Sequence, residues 1–271
     1  MNRRPIGVFD SGIGGLTVVR ELERQLPHES LIYFGDTARV PYGNKSPETV
    51  RRYSREILDF LLSRDVKLVV VACNTASAHA LEHLRQAAPV KVEGVIEPGA
   101  RAAVAASRGG RIGVIGTAGT VASGAYARAI EAANGKARVT AQPCPLFVPL
   151  VEEGWLDHAA TRLIADEYLA PLRAQDIDTL VLGCTHYPLL NPLLASLLGP
   201  SVALIDSAQE TAAAVSRELA RSTLHAPATQ TGKVHFVVSD DVKRFVRVGR
   251  MFLGERVKDV EMMPLGETAG R

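Results

Sequence analysis

The sequence predicts an α/β protein made of two related halves, each a parallel sheet with helices on both faces. Three observations carry that reading. Short apolar runs alternate with longer stretches of helical periodicity. The apolar runs are continuous rather than alternating, as strands covered on both faces require. The whole series then begins again about a hundred residues later. Composition agrees: of 271 residues, 46% are hydrophobic and only 5% aromatic, so Ala, Val and Leu supply most of the apolar mass. That length admits one large domain or two modest ones, each with its own core.

The elements follow in order. IGVFD (6–10) reads as a strand and leads into the helical GGLTVVRELERQL. LIYFGD (31–36) precedes a loop and then SPETVRRYSREILDFLLSR (46–64). LVVVACN (68–74) precedes TASAHALEHLRQAA, and VEGVIEP (92–98) precedes GARAAVAAS. The second series opens with RIGVIGTAGTVAS (111–123), which echoes the first strand and puts Thr117 where Asp10 stood. LFVPLVEEG (146–154) brings Pro149 to the place of Pro41. TLVLGCTHYPLL (179–190) returns Cys184 for Cys73, and VALIDSAQETAAAV returns Asp206 for Glu97. All four offsets lie between 107 and 111 residues. The period is too long for a solenoid, so it marks a duplicated domain.

The tail falls outside the repeat. Residues 208–221 read as a helix, 224–232 as a loop and VHFVVSD (234–240) as a strand. DDVKRFVRVGRMFLG (240–254) reads as a helix with Asp240 as its N-cap. One half must therefore carry an extra strand and helix; the pattern does not say which.

Charge excludes some classes of partner. The net charge of +2 comes from 31 basic and 29 acidic residues spread along the chain. No basic block marks a nucleic-acid or membrane surface, so neither partner is expected. MNRRPIGVFD lacks the apolar core of a signal peptide, and no run approaches a membrane span. Three cysteines, an odd number, suit reduced thiols and a cytoplasmic location.

In parallel sheets, ligands bind beyond the carboxyl ends of the strands, where helix N-termini present free N–H groups. Asp10, Cys73, Thr117 and Cys184 all stand at such ends. If the halves face one another, both cysteines approach one ligand from opposite sides of a shared cleft. A metal site is not expected: there is no Cys-x-x-Cys pair, and Cys184 with His186 supplies only two ligands. A disulfide between the two sites conflicts with the inferred compartment, and a redox pair is no more expected than a metal. One catalytic thiol leaves the second motif unused. Two thiols flanking one carbon suit stereoinversion, with one taking a proton and the other returning one. Plainer roles stay open on the residues alone. Asp10 is a candidate helix cap, His186 a packing residue, and Glu152 is indistinguishable from Glu153. Cys144, between Pro143 and Pro145, reads as a small buried residue. DSGIGGL departs from G-x-G-x-x-G, and Asp10 at its mouth would repel a phosphate.

The segments GVFDSGIGGL, YFGDTARVPYG, VVACNTASA, GVIEPGA, GVIGTAGT, VPLVEEG and LGCTHYPLL run in order through most of the chain. In this set the chain resembles the glutamate racemases of the cofactor-independent aspartate/glutamate racemase family; the tail beyond residue 222 matches weakly. The resemblance implies two domains, residues 1–97 plus 208–271 and residues 98–207, with the active site in the cleft between them. It implies interconversion of L- and D-glutamate for peptidoglycan, without cofactor, by a protein that is commonly a homodimer. Cys73 and Cys184 would be the two bases, with Asp10 assisting Cys73, and Glu152 and His186 assisting Cys184. Substrate contacts would come from Ser11, Pro41, Tyr42, Gly43, Asn74, Thr75, Thr117, Thr120 and Thr185. Helix N-termini beside both cysteines are expected to favour thiolates, and both sulfurs to be accessible. Some relatives carry an N-terminal extension linked to activation by a cell-wall precursor. Here the first strand is reached by Ile6, so no such activation is expected. Pocket volume, which separates glutamate from aspartate, is not written in the sequence, and a single-thiol lyase or hydrolase on the same scaffold remains an alternative.

Overall fold

The computed structural model describes residues 2–266. The first series comprises β1 (Ile6–Asp10), α1 (Leu16–Gln25), β2 (Leu31–Gly35), α2 (Pro47–Ser63), β3 (Leu68–Val71), α3 (Asn74–Ala87), β4 (Lys91–Gly94) and α4 (Ile96–Ala106). The second runs through β5 (Arg111–Gly116), α5 (Ala118–Ala122), α6 (Ala125–Ala133), β6 (Arg138–Pro143), α7 (Phe147–Glu152), α8 (Ala159–Arg173), β7 (Thr179–Gly183), α9 (Asn191–Leu198) and β8 (Ala203–Asp206). The chain ends in α10 (Ser207–Arg221), β9 (Val234–Val238), α11 (Val242–Leu253) and β10 (Glu261–Met262).

The strands form two parallel sheets, ordered β10-β9-β2-β1-β3-β4 and β6-β5-β7-β8. Within each, the four repeated strands take the same order, which is the duplication in three dimensions. The strand outside the repeat, β9, extends the first sheet beside β2. Several bounds differ from the sequence reading; β3 ends at Val71 and α3 already starts at Asn74, inside the segment read as strand. Helix α4 starts at Ile96, inside the segment read as strand, so Glu97 lies in its first turn. Helix α11 starts at Val242, and Asp241 rather than Asp240 caps it, its carboxylate accepting the Arg244 N–H. Asp241 holds a left-handed backbone (φ 43°), which a short carboxylate side chain tolerates better than most. Strand β10 is two residues long and offers too little pattern to read.

Register aligns the reactive ends. Asp10 sits level with Gly35 across β1–β2, and Phe9 level with Val71 across β1–β3, so Cys73 emerges beside Asp10. The apolar strands are buried on both faces. Phe9, Val69 and Val71 pack under α2 and α3, while Ile6, Val8 and Val70 join a core that runs on through α10 and α11 into the second sheet. One continuous core therefore ties the halves together at their backs and leaves the strand ends facing.

Candidate active site

Both cysteines meet one small buried cavity of about 30 Å³. Its wall carries eleven sequence-predicted residues: Ser11, Pro41, Tyr42, Gly43, Cys73, Asn74, Thr75, Thr117, Cys184, Thr185 and His186. Asp10, Thr120 and Glu152 stand behind that wall and reach it through hydrogen bonds. Val40 and Val148 also line it, and the sequence reading had missed them; apolar residues in loops carry no signal of which surface they face. A larger cavity of about 520 Å³ opens outside, sharing Val40, Pro41, Gly43, Thr117 and Val148 with the inner one. The inner space holds roughly two water molecules. Any amino acid therefore enters only when the cleft widens, and the closed volume does not separate glutamate from aspartate.

Cys73 is the N-cap of α3, and the Ala76 N–H donates to its Sγ at 3.4 Å. The helix end does not make it a thiolate. Burial, with the Asp10 carboxylate adding to it, pushes the thiol up to about 12. Asp10 acts at one remove: the Cys73 thiol meets Ser11 Oγ at 3.6 Å, and that hydroxyl donates to Asp10 Oδ2 at 3.4 Å. Asp10 also accepts the Gly15 N–H at 2.8 Å, but Gly15 itself is the N-cap of α1, so Asp10 is not the helix cap that the sequence allowed. Its own pKa is raised by burial, against the opposing pull of the His186 charge and of its hydrogen bonds.

Cys184 stands differently. The segment after β7 turns into a short 3-10 helix, Tyr187–Leu190, so no α-helix starts at this sulfur. Its neighbour is the His186 ring, with Nδ1 at 3.9 Å from Sγ, and Nε2 on the other side pairs with Glu152 Oε1 at 3.0 Å. Burial alone would lower the His186 pKa, but the hydrogen bonds and charges of Cys184 and Glu152 outweigh it and hold it up at about 10. Glu152, conversely, is held below its usual value; burial opposes this, but His186 and Arg244 prevail. An imidazolium between sulfur and carboxylate is the arrangement these contacts favour. Pattern alone could not choose Glu152 over Glu153; the structure turns Glu152 to the His186 ring and leaves Glu153 exposed.

Both sulfurs are nearly buried, Cys73 at 5% and Cys184 at 6% exposure, which corrects the expectation of accessible thiols: the closed cleft covers them. Cys144 is fully buried with its Sγ toward the Gln142 carbonyl, and takes no part in the cavity wall.

The remaining wall is a set of donors. The hydroxyls of Thr75, Thr117 and Thr120 form a closed triangle with edges of 2.9–3.1 Å. Tyr126 donates to Asn74 Oδ1 at 2.7 Å, which leaves the buried Asn74 Nδ2 without a partner among the described residues. Such a donor is costly unless a ligand accepts from it. The hydroxyl of Tyr42 is turned away and donates to Asp36, so that residue offers the cavity its ring and backbone only.

The glycines of DSGIGGL have a structural purpose. A Cβ on Gly14 would overlap Thr185 Oγ1 and His186 Nδ1, so this glycine lets the first half's loop touch the second half's reactive loop. Among the described residues, no group of three His, Cys, Asp or Glu side chains is placed to hold a metal.

Paired parallel sheets closing on two thiols define a class of carbon-acid enzyme, and comparison with known proteins agrees. Residues 6–215 match the family model of Asp/Glu/hydantoin racemases, and the chain belongs to that family. Within it, a glutamate racemase of Geobacter metallireducens is 56% identical over 262 residues, 97% of each chain. Among solved structures, a glutamate racemase isoform from Bacillus anthracis superposes with a TM-score of 0.93 at 40% identity, covering 98% of this chain and 99% of that one. The Francisella tularensis glutamate racemase, solved in complex with D-glutamate, gives 0.91 at 38% identity, with 97% and 98% covered.

Proposed function

We propose that the chain interconverts L- and D-glutamate by proton exchange between two cysteines on opposite faces of the α-carbon. The observation that carries this is the pair of sulfurs on one closed cavity, one linked through Ser11 to a carboxylate and the other beside an imidazole. In the L-to-D direction, Cys184 as thiolate takes the α-proton and leaves the electron pair on carbon. The Cys73 thiol delivers its proton to the opposite face, forming the new C–H bond and becoming the thiolate. Cys184 ends as the thiol, and the D-to-L direction reverses both steps. An imidazolium at 3.9 Å stabilises the Cys184 anion, whereas burial keeps Cys73 protonated and ready to donate. Asp10 and Ser11 give the Cys73 proton a polar route out when that sulfur must act as base.

A carbanion beside a carboxylate is far higher in energy than a thiolate, at about 1.36 kcal/mol per pKa unit, so the wall must stabilise it. Asn74 Nδ2 and the threonine hydroxyls are the groups we assign to the substrate's carboxylates. The same reading carries the supply of D-glutamate to peptidoglycan, a cytoplasmic homodimer, and closure of residues 1–97 plus 208–271 on residues 98–207. No described helix is long and apolar enough to cross a membrane.

The test is chiral chromatography of L-glutamate incubated with purified protein dialysed against a chelator and treated with hydroxylamine. Equal amounts of both enantiomers should form. Activity recovered only on adding a metal or pyridoxal phosphate would overturn the mechanism, and faster turnover of aspartate would overturn the substrate.

A further inference from the structure

The C-terminal segment, which lies outside the repeat, reaches the Cys184 side of the site at two points. Helix α11 packs on the first sheet, with the Phe245 ring 5.9 Å from that of Tyr33. From that base, the Phe252 ring packs on the His186 ring, with centroids 5.8 Å apart and planes nearly perpendicular. In the first turn of the helix, Arg244 donates through one terminal guanidinium nitrogen to Glu152 Oε2 at 2.8 Å. Glu152 sits at the end of α7, in the other half of the molecule, and its second oxygen is the one that accepts from His186. The carboxylate is thus gripped from both sides, and each grip constrains the other. Glu152 lines the wide outer cavity together with Asp240 and Asp241, so the arginine holds the carboxylate at that opening.

We propose that Arg244 is a positioning residue for the Cys184 half of the reaction, holding Glu152 by Oε2 so that Oε1 faces His186. The hold spans the two halves and is made in the closed cleft. Arg244 is 48% exposed, so as a bare ion pair it contributes little; what it supplies is the orientation of a nearly buried carboxylate. The charged groups facing that carboxylate are His186 and Arg244, with Glu153, Asp240 and Asp241 at the cavity mouth. On the other side of His186 stand Cys184 and the Asp10 charge.

The proposal rests on the two-thiol reading, and its test separates the two. Arg244→Gln should lower kcat about tenfold with KM nearly unchanged, a misplacement effect rather than a binding one. The acid limb of its pH profile should move up by about half a unit, because Glu152 loses a cationic partner. Arg244→Lys should restore the limb and part of the rate. Elimination from a β-chloro analogue of glutamate provides the control. Added to Cys73→Ser, which leaves only the Cys184 side, the change should slow elimination; added to Cys184→Ser, it should not. An unaltered kcat and acid limb in Arg244→Gln, or equal slowing in both backgrounds, would overturn the positioning role. Full turnover in Glu152→Gln would instead remove the two-thiol assignment of Glu152, and the proposal with it.

Discussion

The two sulfurs descend from equivalent positions in a repeat, yet their surroundings have opposite character. Cys73 caps a fourteen-residue α-helix and faces, through Ser11, the carboxylate of Asp10. Cys184 lies two residues before His186, the N-cap of a four-residue 3-10 helix, and faces that residue's imidazole, which is backed by Glu152. A helix end would be expected to make Cys73 the thiolate, but burial and a nearby negative charge override it. The lesson is one of magnitude. A helix end contributes about 0.3–1 kcal/mol at an exposed site, whereas full burial shifts a pKa by up to ~3–5 units. The duplicated scaffold thus surrounds two equivalent sulfurs with different groups, a contrast that suits the proposed exchange, in which one sulfur gives a proton while the other takes one.

That comparison breaks first if the cysteines are interchangeable. Cys73→Ser and Cys184→Ser should each lower racemisation by about a thousandfold, the range of a lost acid or base. Enantiomers have equal free energies, so kcat/KM must match in both directions and a directional role is visible only in half-reactions. Elimination from the L form of a β-chloro analogue should survive in Cys73→Ser, and from the D form in Cys184→Ser. The same enantiomer preference in both variants would point to a single base.

A smaller effect sharpens the contrast between the supporting groups. His186→Asn should cost about 10–100-fold in turnover and act mainly on elimination from the L analogue, and Asp10→Asn mainly on the D analogue. Stopped assays of the two eliminations check this, and equal losses on both sides would erase the division.

Alkylation reads the same asymmetry without substrate. Iodoacetamide at neutral pH should label Cys184 at least about tenfold faster than Cys73, because the Cys73 thiol stays protonated until the pH nears 12. Peptide mapping should find the gap narrowing as pH rises, glutamate protecting both, and Cys144 unlabelled. Preferential labelling of Cys73 would reverse the assignment of the resting base.

The smallest expected effect is on stability. The raised His186 pKa means its contribution is fully present below about pH 6.5 and lost as pH rises through about 10. Glu152 is lowered, so its contribution is present above its ordinary value and lost as pH falls. The difference in melting temperature between wild type and His186→Asn should therefore shrink from pH 6 to pH 10. A change of about 1 kcal/mol corresponds to roughly 2–4 °C in a protein of this size. A difference independent of pH would mean that the ring acts by packing alone.

Much of this was legible in the chain itself. Continuous apolar strands, turn residues at their ends and four landmarks at one offset determine two parallel sheets of like order, because burial on both faces and right-handed crossovers leave few alternatives. The pairing of Cys73 with Cys184, and of Asn74 with Thr185 beside them, follows from that repeat. The resemblance named Asp10, Glu152 and His186 as the neighbours of the sulfurs; what the residue pattern left open was their arrangement and its effect on each thiol. The contact of Glu152 rather than Glu153 with His186 and the reach of Arg244 across the cleft join residues far apart in the chain, and the burial of Cys73 depends on the fold around it. Strand patterns record which face of an element is apolar, a property of neighbouring residues. The charge state of a thiol depends on solvent exclusion and on groups within a few ångströms, and only the closing of one half on the other decides those.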